Sequence, residues 1–173
     1  MKILLHACCG PCALYPIRYF KEKGDDVDCY YYNPNIHPLD EHIRRGEALK
    51  TICDLNDVDV VYSCDFAEQE WKNFDGSMDE RCTMCYTSRL EEVVRYARRY
   101  GYDAFTTSLL ISPYQDHEQI KKICERLAEE AEMEFAYVDF RPNFREGQRL
   151  ARETGVYMQK YCGCICSREG NGR

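Results

Sequence analysis

The sequence predicts an α/β fold: a single domain over residues 1–173, with a mostly parallel sheet and helices on both faces. Two observations predict it. Short apolar runs of strand length alternate with longer segments of helical period along nearly the whole chain. The segments between the runs are too long for hairpins and long enough for crossover helices, which favours parallel pairing. A chain of 173 residues can bury one core, and no internal repeat or low-complexity linker divides it.

The elements follow in order. "KILLHA" reads as a short buried strand and "CCGPC" as a turn. "ALYPIRYFKEKG" reads as a helix stopped at Gly24, with Pro16 inside it. "DVDCYYYNPN" is a second strand running into a Pro-Asn loop. "PLDEHIRRGEALKTICDLND" has helical period, with Ile43, Leu49, Ile52 and Leu55 expected near one face. "VDVVYS" is the third strand, and the acidic stretch 66–80 reads as irregular. "YTSRLEEVVRYARRYG" is a helix with Leu90, Val93, Val94 and Ala97 facing inward. "YDAFTTSLLIS" is the fourth strand, "DHEQIKKICERLAEEAE" a helix and "EFAYVDF" the fifth strand. "REGQRLARETG" is the last expected helix, followed by a Cys-rich tail over 157–167. The closing "REGNGR" is expected to fray.

Composition narrows the function classes. Asp and Glu number 30 against 23 Lys and Arg, so any polyanion partner needs a local basic patch. Twelve cysteines would suggest a disulfide framework in a secreted protein. The apolar run before His6 is too short for a signal peptide, and no stretch has the length of a membrane span. A cytoplasmic location away from membranes is therefore expected. There, clustered thiols point to metal or redox chemistry.

A sheet of this kind gathers its site beyond the carboxyl ends of its strands. That rule brings Cys8 and Cys9, Asn33 to His37, Cys64 and Asp65, and Ser112 to His117 to one edge. "RCTMCY" adds Cys82 and Cys85. With Cys8, Cys9 and Cys12 they make five thiols for one centre. Four thiolates suit zinc or an iron–sulfur cluster, and spacing alone leaves both open, beside plain buried thiols. Cys29, Cys53 and Cys124 fall inside regular elements and read as core residues. In "YCGCIC", Cys162 and Cys164 could close only a small strained ring, the labile kind of disulfide, or could ligate metal. His37 in "NPNIHP" and Tyr114, Asp116 and His117 in "SPYQDHE" are polar residues at the same edge, with Asp116 the natural helix N-cap. Arg141, Arg145, Arg149 and Arg152 recur at helical steps. Arg145 and Arg149 are the candidate RNA contacts, unless Glu146 and Glu153 make this a solvated face.

Taken together and in order, "HACCGPC", "YNPNIHP", "RCTMCY", "TTSLLISPYQDH" and "YCGCICS" resemble the cobalamin-independent epoxyqueuosine reductases of the QueH type. The resemblance covers nearly the whole chain, and the ordered set is far more specific than any one segment. It implies a fold like the HUP (adenine-nucleotide hydrolase-like) domains. It implies the last step of queuosine synthesis: epoxyqueuosine at the wobble position of tRNA is reduced to queuosine. It implies a [4Fe-4S] cluster on Cys8, Cys9, Cys82 and Cys85, a redox-active pair at Cys162 and Cys164, an external electron donor and no cobalamin. The chain departs from the family at His42, where an aromatic is usual, and at Met158, where a basic residue is usual.

That reaction needs an electrophile or acid for the leaving oxygen. A second, mononuclear iron is one candidate, with Cys12 and Asp65 or Asp79 as ligands. A general acid is the other, from His37, Tyr114 or His117. Two rival functions remain. An ATP-dependent tRNA sulfurtransferase of the same fold needs a phosphate loop where this chain has "CCGPC". A structural-zinc protein that binds RNA or a partner needs no redox pair.

Overall fold

A computed structural model describes residues 1–169. The part of the "REGNGR" expectation that falls on 170–173 lies outside the described residues. Five strands form one sheet: β1 (Lys2–His6), β2 (Asp26–Tyr31), β3 (Val60–Tyr62), β4 (Ala104–Thr107) and β5 (Glu134–Phe135). The order is β3-β2-β1-β4-β5, and every pairing is parallel. The central strand β1 is covered on both faces, which is why "ILL" is a continuous apolar run rather than an alternating one.

The helices are α1 (Gly10–Glu22), α2 (Leu39–Leu55), α3 (Glu68–Asn73), α4 (Met78–Arg99), α5 (His117–Ala131), α6 (Phe144–Glu153) and α7 (Ile165–Glu169). Helices α2 and α6 pack on α1, while α4 packs on α5. The chain runs outward from β1 through β3, then returns to β4 on the other side of β1. This reversal makes the carboxyl ends of β1 and β4 the switch point, where such sheets open a crevice. No described helix is long and apolar enough to cross a membrane.

Several local expectations are corrected. "CCGPC" is not a free turn: Gly10, Pro11 and Cys12 are the first turn of α1, and Cys9 is its N-cap, its thiol accepting from Cys12 N at 3.4 Å. Proline suits this turn, because its φ is helical and its missing N–H would have no partner there. Gly10 is required by packing. A Cβ there would lie 2.6 Å from Ala48 O, so α1 and α2 could not approach as they do.

In α2, Leu49 and Ile52 are buried but Ile43 and Leu55 are exposed. A step of six residues does not return to one helix face. The inward face carries Glu41 and Arg45 instead.

The stretch 66–80 is largely helical. It forms α3 and the start of α4, whose true origin is a capping box between Ser77 and Glu80. Buried Arg81 donates to Trp71 O and to Phe74 O, the latter at 3.1 Å, and ties α3 to α4. Beyond Thr107 the fourth strand gives way to a 3-10 turn over Ser108–Ile111, and β5 is much shorter than "EFAYVDF". The inward faces of α4 and the N-cap role of Asp116, which accepts from Gln119 N at 3.0 Å, are as expected.

Candidate metal centre

Strand β1 delivers Cys8 and Cys9 to the switch point, and the first turn of α1 delivers Cys12. Their three Sγ atoms lie within 4.8 Å of one another, and all three side chains are buried. The turn is held from β4: Cys8 N donates to Ser108 Oγ at 3.2 Å, and that hydroxyl lies 3.5 Å from Cys8 Sγ. Hydrogen bonds from Cys12, then Cys9 and Ser108, hold the Cys8 thiol well below its ordinary range. Burial pushes the Cys9 thiol well above it. Three buried soft donors so close together suit a thiophilic metal or cluster, which would take the place of shared protons. Gln159 reaches in from the C-terminal segment and donates to Cys12 Sγ at 3.2 Å.

The α4 helix supplies the next thiols. Its early start puts Cys82 and Cys85 on successive turns rather than in a loop. Cys82 packs against the core that holds the triad. Cys85 is buried with Trp71 and Cys164, and burial raises its thiol to about 11, with Cys162, Cys164 and Cys82 adding to the rise. One turn further, Arg89 is 3% exposed and donates to Cys85 O at 3.1 Å. Burial opposes its charge, but the nearby thiols of Cys85 and Cys8 outweigh that and keep it protonated. A cation is thus set among thiols that function as anions when they bind metal.

The C-terminal segment is clasped over this edge. Arg45, 1% exposed, donates to Glu41 Oε1 at 2.8 Å, to Tyr161 O at 2.8 Å and to Cys162 O at 3.2 Å. Tyr157 OH donates to the other Glu41 oxygen at 2.7 Å. Tyr161 OH donates to His37 O, and His37 N donates to Gly163 O at 3.0 Å. Gly163 has φ +109° and sits against Ile36 and Arg45. The clasp leaves Cys162 exposed, with its Sγ 3.0 Å from Ser167 Oγ, and Cys164 buried. No disulfide joins any of the cysteines among the described residues.

The model of the family described as epoxyqueuosine reductase QueH matches residues 3–170. The chain belongs to the epoxyqueuosine reductase QueH family. The epoxyqueuosine reductase QueH of Dehalococcoides mccartyi is 37% identical over 167 residues, which cover 96% of this chain and 92% of that one. The Histophilus somni member is 36% identical, covering 99% and 77%. The Thermotoga maritima member is 33% identical, covering 95% and 89%. Among solved structures, the zinc-inhibited form of teicoplanin deacetylase Orf2 aligns with a TM-score of 0.57 at 11% identity, covering 89% of this chain and 83% of that one. A deacetylase–teicoplanin complex aligns at 0.56, also at 11% identity, covering 89% and 86%. At that identity these two show the α/β fold alone.

Against this QueH framework the expected site residues divide. Cys8 and Cys9 converge, with Cys12 as the close third member of the group. Cys82 packs against the same core from α4, and Cys85, on the same helix, lies with Trp71 and Cys164. Asp65 and Asp79 are exposed, and neither joins Cys12 in a metal-sized group among the described residues. His37 is buried beside Phe66 and Trp71, with rings 4.9 and 6.2 Å away, and neither ring nitrogen has a hydrogen-bond partner among the described residues. Burial lowers its pKa. Tyr114 is 71% exposed and rests on Phe144. His117 is buried, with its Nε2 3.0 Å from Tyr137 OH. Arg149 is paired with both Glu146 and Glu153, so this part of the α6 stripe is internally neutralised. His42 packs on Phe66 and Tyr31, and Met158 against the core.

Sequence reading missed Arg45, Glu41, Arg89 and Gln159. The visible signal for Arg45, Glu41 and Arg89 is charge within a helical repeat where apolar residues belong; Gln159, neutral and outside any helix, gives none.

Proposed function

We propose that this chain is an oxidoreductase that reduces epoxyqueuosine to queuosine at the wobble position of tRNA, the last step of queuosine synthesis. The observation that carries the reading is the buried thiol group at the sheet's switch point, in a chain matched by the family over residues 3–170. The net change is one epoxide, two electrons and two protons going to one alkene and one water. The buried Cys8, Cys9 and Cys12 thiols suit a metal or cluster, and a four-iron cluster would be held by Cys8, Cys9, Cys82 and Cys85 in the family's pattern, with Cys12 as a near neighbour. A cluster held there would supply electrons singly from an external donor. Arg89 balances the negative charge of the thiolates. Oxidation of a Cys162–Cys164 dithiol to its disulfide would release the two electrons and two protons that the reaction needs, and the external donor would restore the dithiol by returning two of each. His37 is the favoured proton donor, because it lies beneath the clasped segment, while His117 already bonds Tyr137.

The ATP-dependent rival fits poorly. Cys8 N and Cys12 N are spent on Ser108 and Cys9, and Pro11 has no N–H to offer a phosphate. The test uses protein purified without air. Its iron and sulfide are counted, and a tRNA bearing epoxyqueuosine is incubated with dithionite. Queuosine formation with no ATP requirement is expected. A colourless zinc protein, or turnover only with ATP, would overturn the proposal.

A further inference from the structure

The net charge of −7 and the neutralised Arg149 leave open where a polyanion would meet this protein. The surface has a groove of about 360 Å³ beside the clasped segment. Arg44, Lys160 and Arg168 line it with Tyr157, Tyr161 and Ser167. Neither Lys160 nor Arg168 has an ion-pair partner among the described residues. Arg44 makes one exposed contact with Asp40, at 3.8 Å. Two acids also line the groove, but they are not equal opponents. Glu41 is already held by Arg45 and Tyr157. Asp40 offsets one of the three cations. The groove is therefore locally positive on an acidic protein.

Its position matters as much as its charge. Ser167 on the groove wall lies 3.0 Å from the exposed Cys162 thiol, and Tyr161 on the same wall bonds the His37 carbonyl. The two tyrosines offer aromatic surface between the cations, with Arg44 5.8 Å from the Tyr157 ring. Cations interleaved with aromatics make a footprint for a single-stranded nucleic acid, phosphates on the charges and bases on the rings. A second basic groove lies between α4 and α5 and includes Arg98 and Arg99. Its cations Arg95, Arg98 and Arg99 lie about 20–26 Å along α4 from Cys82, at 1.5 Å per residue, and so beyond the nucleotides next to the reacting one.

We infer that the groove of Arg44, Lys160, Arg168, Tyr157 and Tyr161 binds the RNA backbone flanking the wobble nucleotide. The inference rests on the tRNA reading given above. It replaces the α6 pair as the principal phosphate contact.

The test measures binding of an anticodon stem-loop that carries epoxyqueuosine, across a range of salt concentrations. Three proteins are compared: the unaltered chain, Arg44→Gln/Lys160→Gln/Arg168→Gln, and Arg145→Gln/Arg149→Gln. The groove variant is expected to bind on the order of tenfold more weakly, and its salt slope to fall by about 2 for three lost single-strand contacts. Its iron content and visible absorbance should match the unaltered protein, which separates lost binding from lost folding. Tyr157→Leu repeats the test through stacking and should weaken binding with little change in salt slope. Equal binding by the groove variant and the unaltered chain would overturn the inference. So would a larger loss from the Arg145/Arg149 variant. If the unaltered chain fails to bind or reduce the RNA at all, the tRNA reading itself fails, and the groove assignment falls with it.

Discussion

Replacing Gly163 with alanine is expected to loosen the C-terminal thiol segment while leaving the core folded. Gly163 holds φ +109°, and a Cβ added there would stand 2.8 Å from Ile36 Cγ1 and 3.2 Å from Arg45 Nη1. Neither neighbour yields easily. Ile36 is wholly buried, and Arg45 is held by Glu41 and two carbonyls. The backbone strain alone costs roughly 1–3 kcal/mol, and the close contacts add to it. At about 1.4 kcal/mol per tenfold, strain alone raises the undocked population roughly 5- to 150-fold. The buried Cys164 reports that population, because alkylation of a protected thiol follows local opening when reclosing is fast. Iodoacetamide labelling of Cys164, read by peptide mass spectrometry, should accelerate by that factor. Labelling of Cys162, which is already exposed, should change little. An unchanged Cys164 rate in Gly163→Ala would refute the clasp as what protects this thiol.

Other outcomes follow from the same geometry. Cys82→Ser and Cys85→Ser should each lose most bound iron in protein prepared without air, whereas Cys53→Ser and Cys124→Ser should retain it; equal losses would count against the ligand set. Arg45→Met leaves Glu41 buried without its partner, at a cost of about 3–5 kcal/mol, so melting should fall by roughly 6–20 °C; a drop of a degree or two would mean the clasp is peripheral. Cys162→Ser and Cys164→Ser should keep the visible absorbance and lose multiple turnover, and full activity in both would end the dithiol proposal. Burial lowers the His117 pKa below its ordinary 6.5, so the unfolded chain binds the extra proton first as pH falls. The stability this residue contributes is present above about pH 6.5 and lost on acidification. His117→Gln should flatten that part of the stability–pH curve, and an unchanged slope would show that His117 is not its source.

The sequence by itself determined what depends on short range. Apolar runs and helical repeats fixed an α/β chain with parallel strands, and the strand-end rule brought Cys8, Cys9 and the "NPNIHP" loop to one edge. Asp116 was legible as an N-cap because capping is chemistry between neighbours. The same holds for the capping box at Ser77 and Glu80, a signal present in "SMDE" but overlooked among the acids around it. The ordered cysteine motifs carried the family.

What only the tertiary structure decided lies beyond such windows. Arg45 meets Tyr161 and Cys162 across more than a hundred residues, and its burial in α2 runs against the apolar repeat. A charge can occupy a core position only when a distant segment supplies its partners, and no local pattern announces that segment. The sequence already joined Cys12 to Cys8 and Cys9, but how closely their three thiols approach, within 4.8 Å, depended on the exact start of α1. The silencing of Arg149 depended on side chains choosing partners on their own helix. The groove beside Cys162 exists because α2 and the C-terminal segment, far apart in sequence, are clasped together by one buried guanidinium.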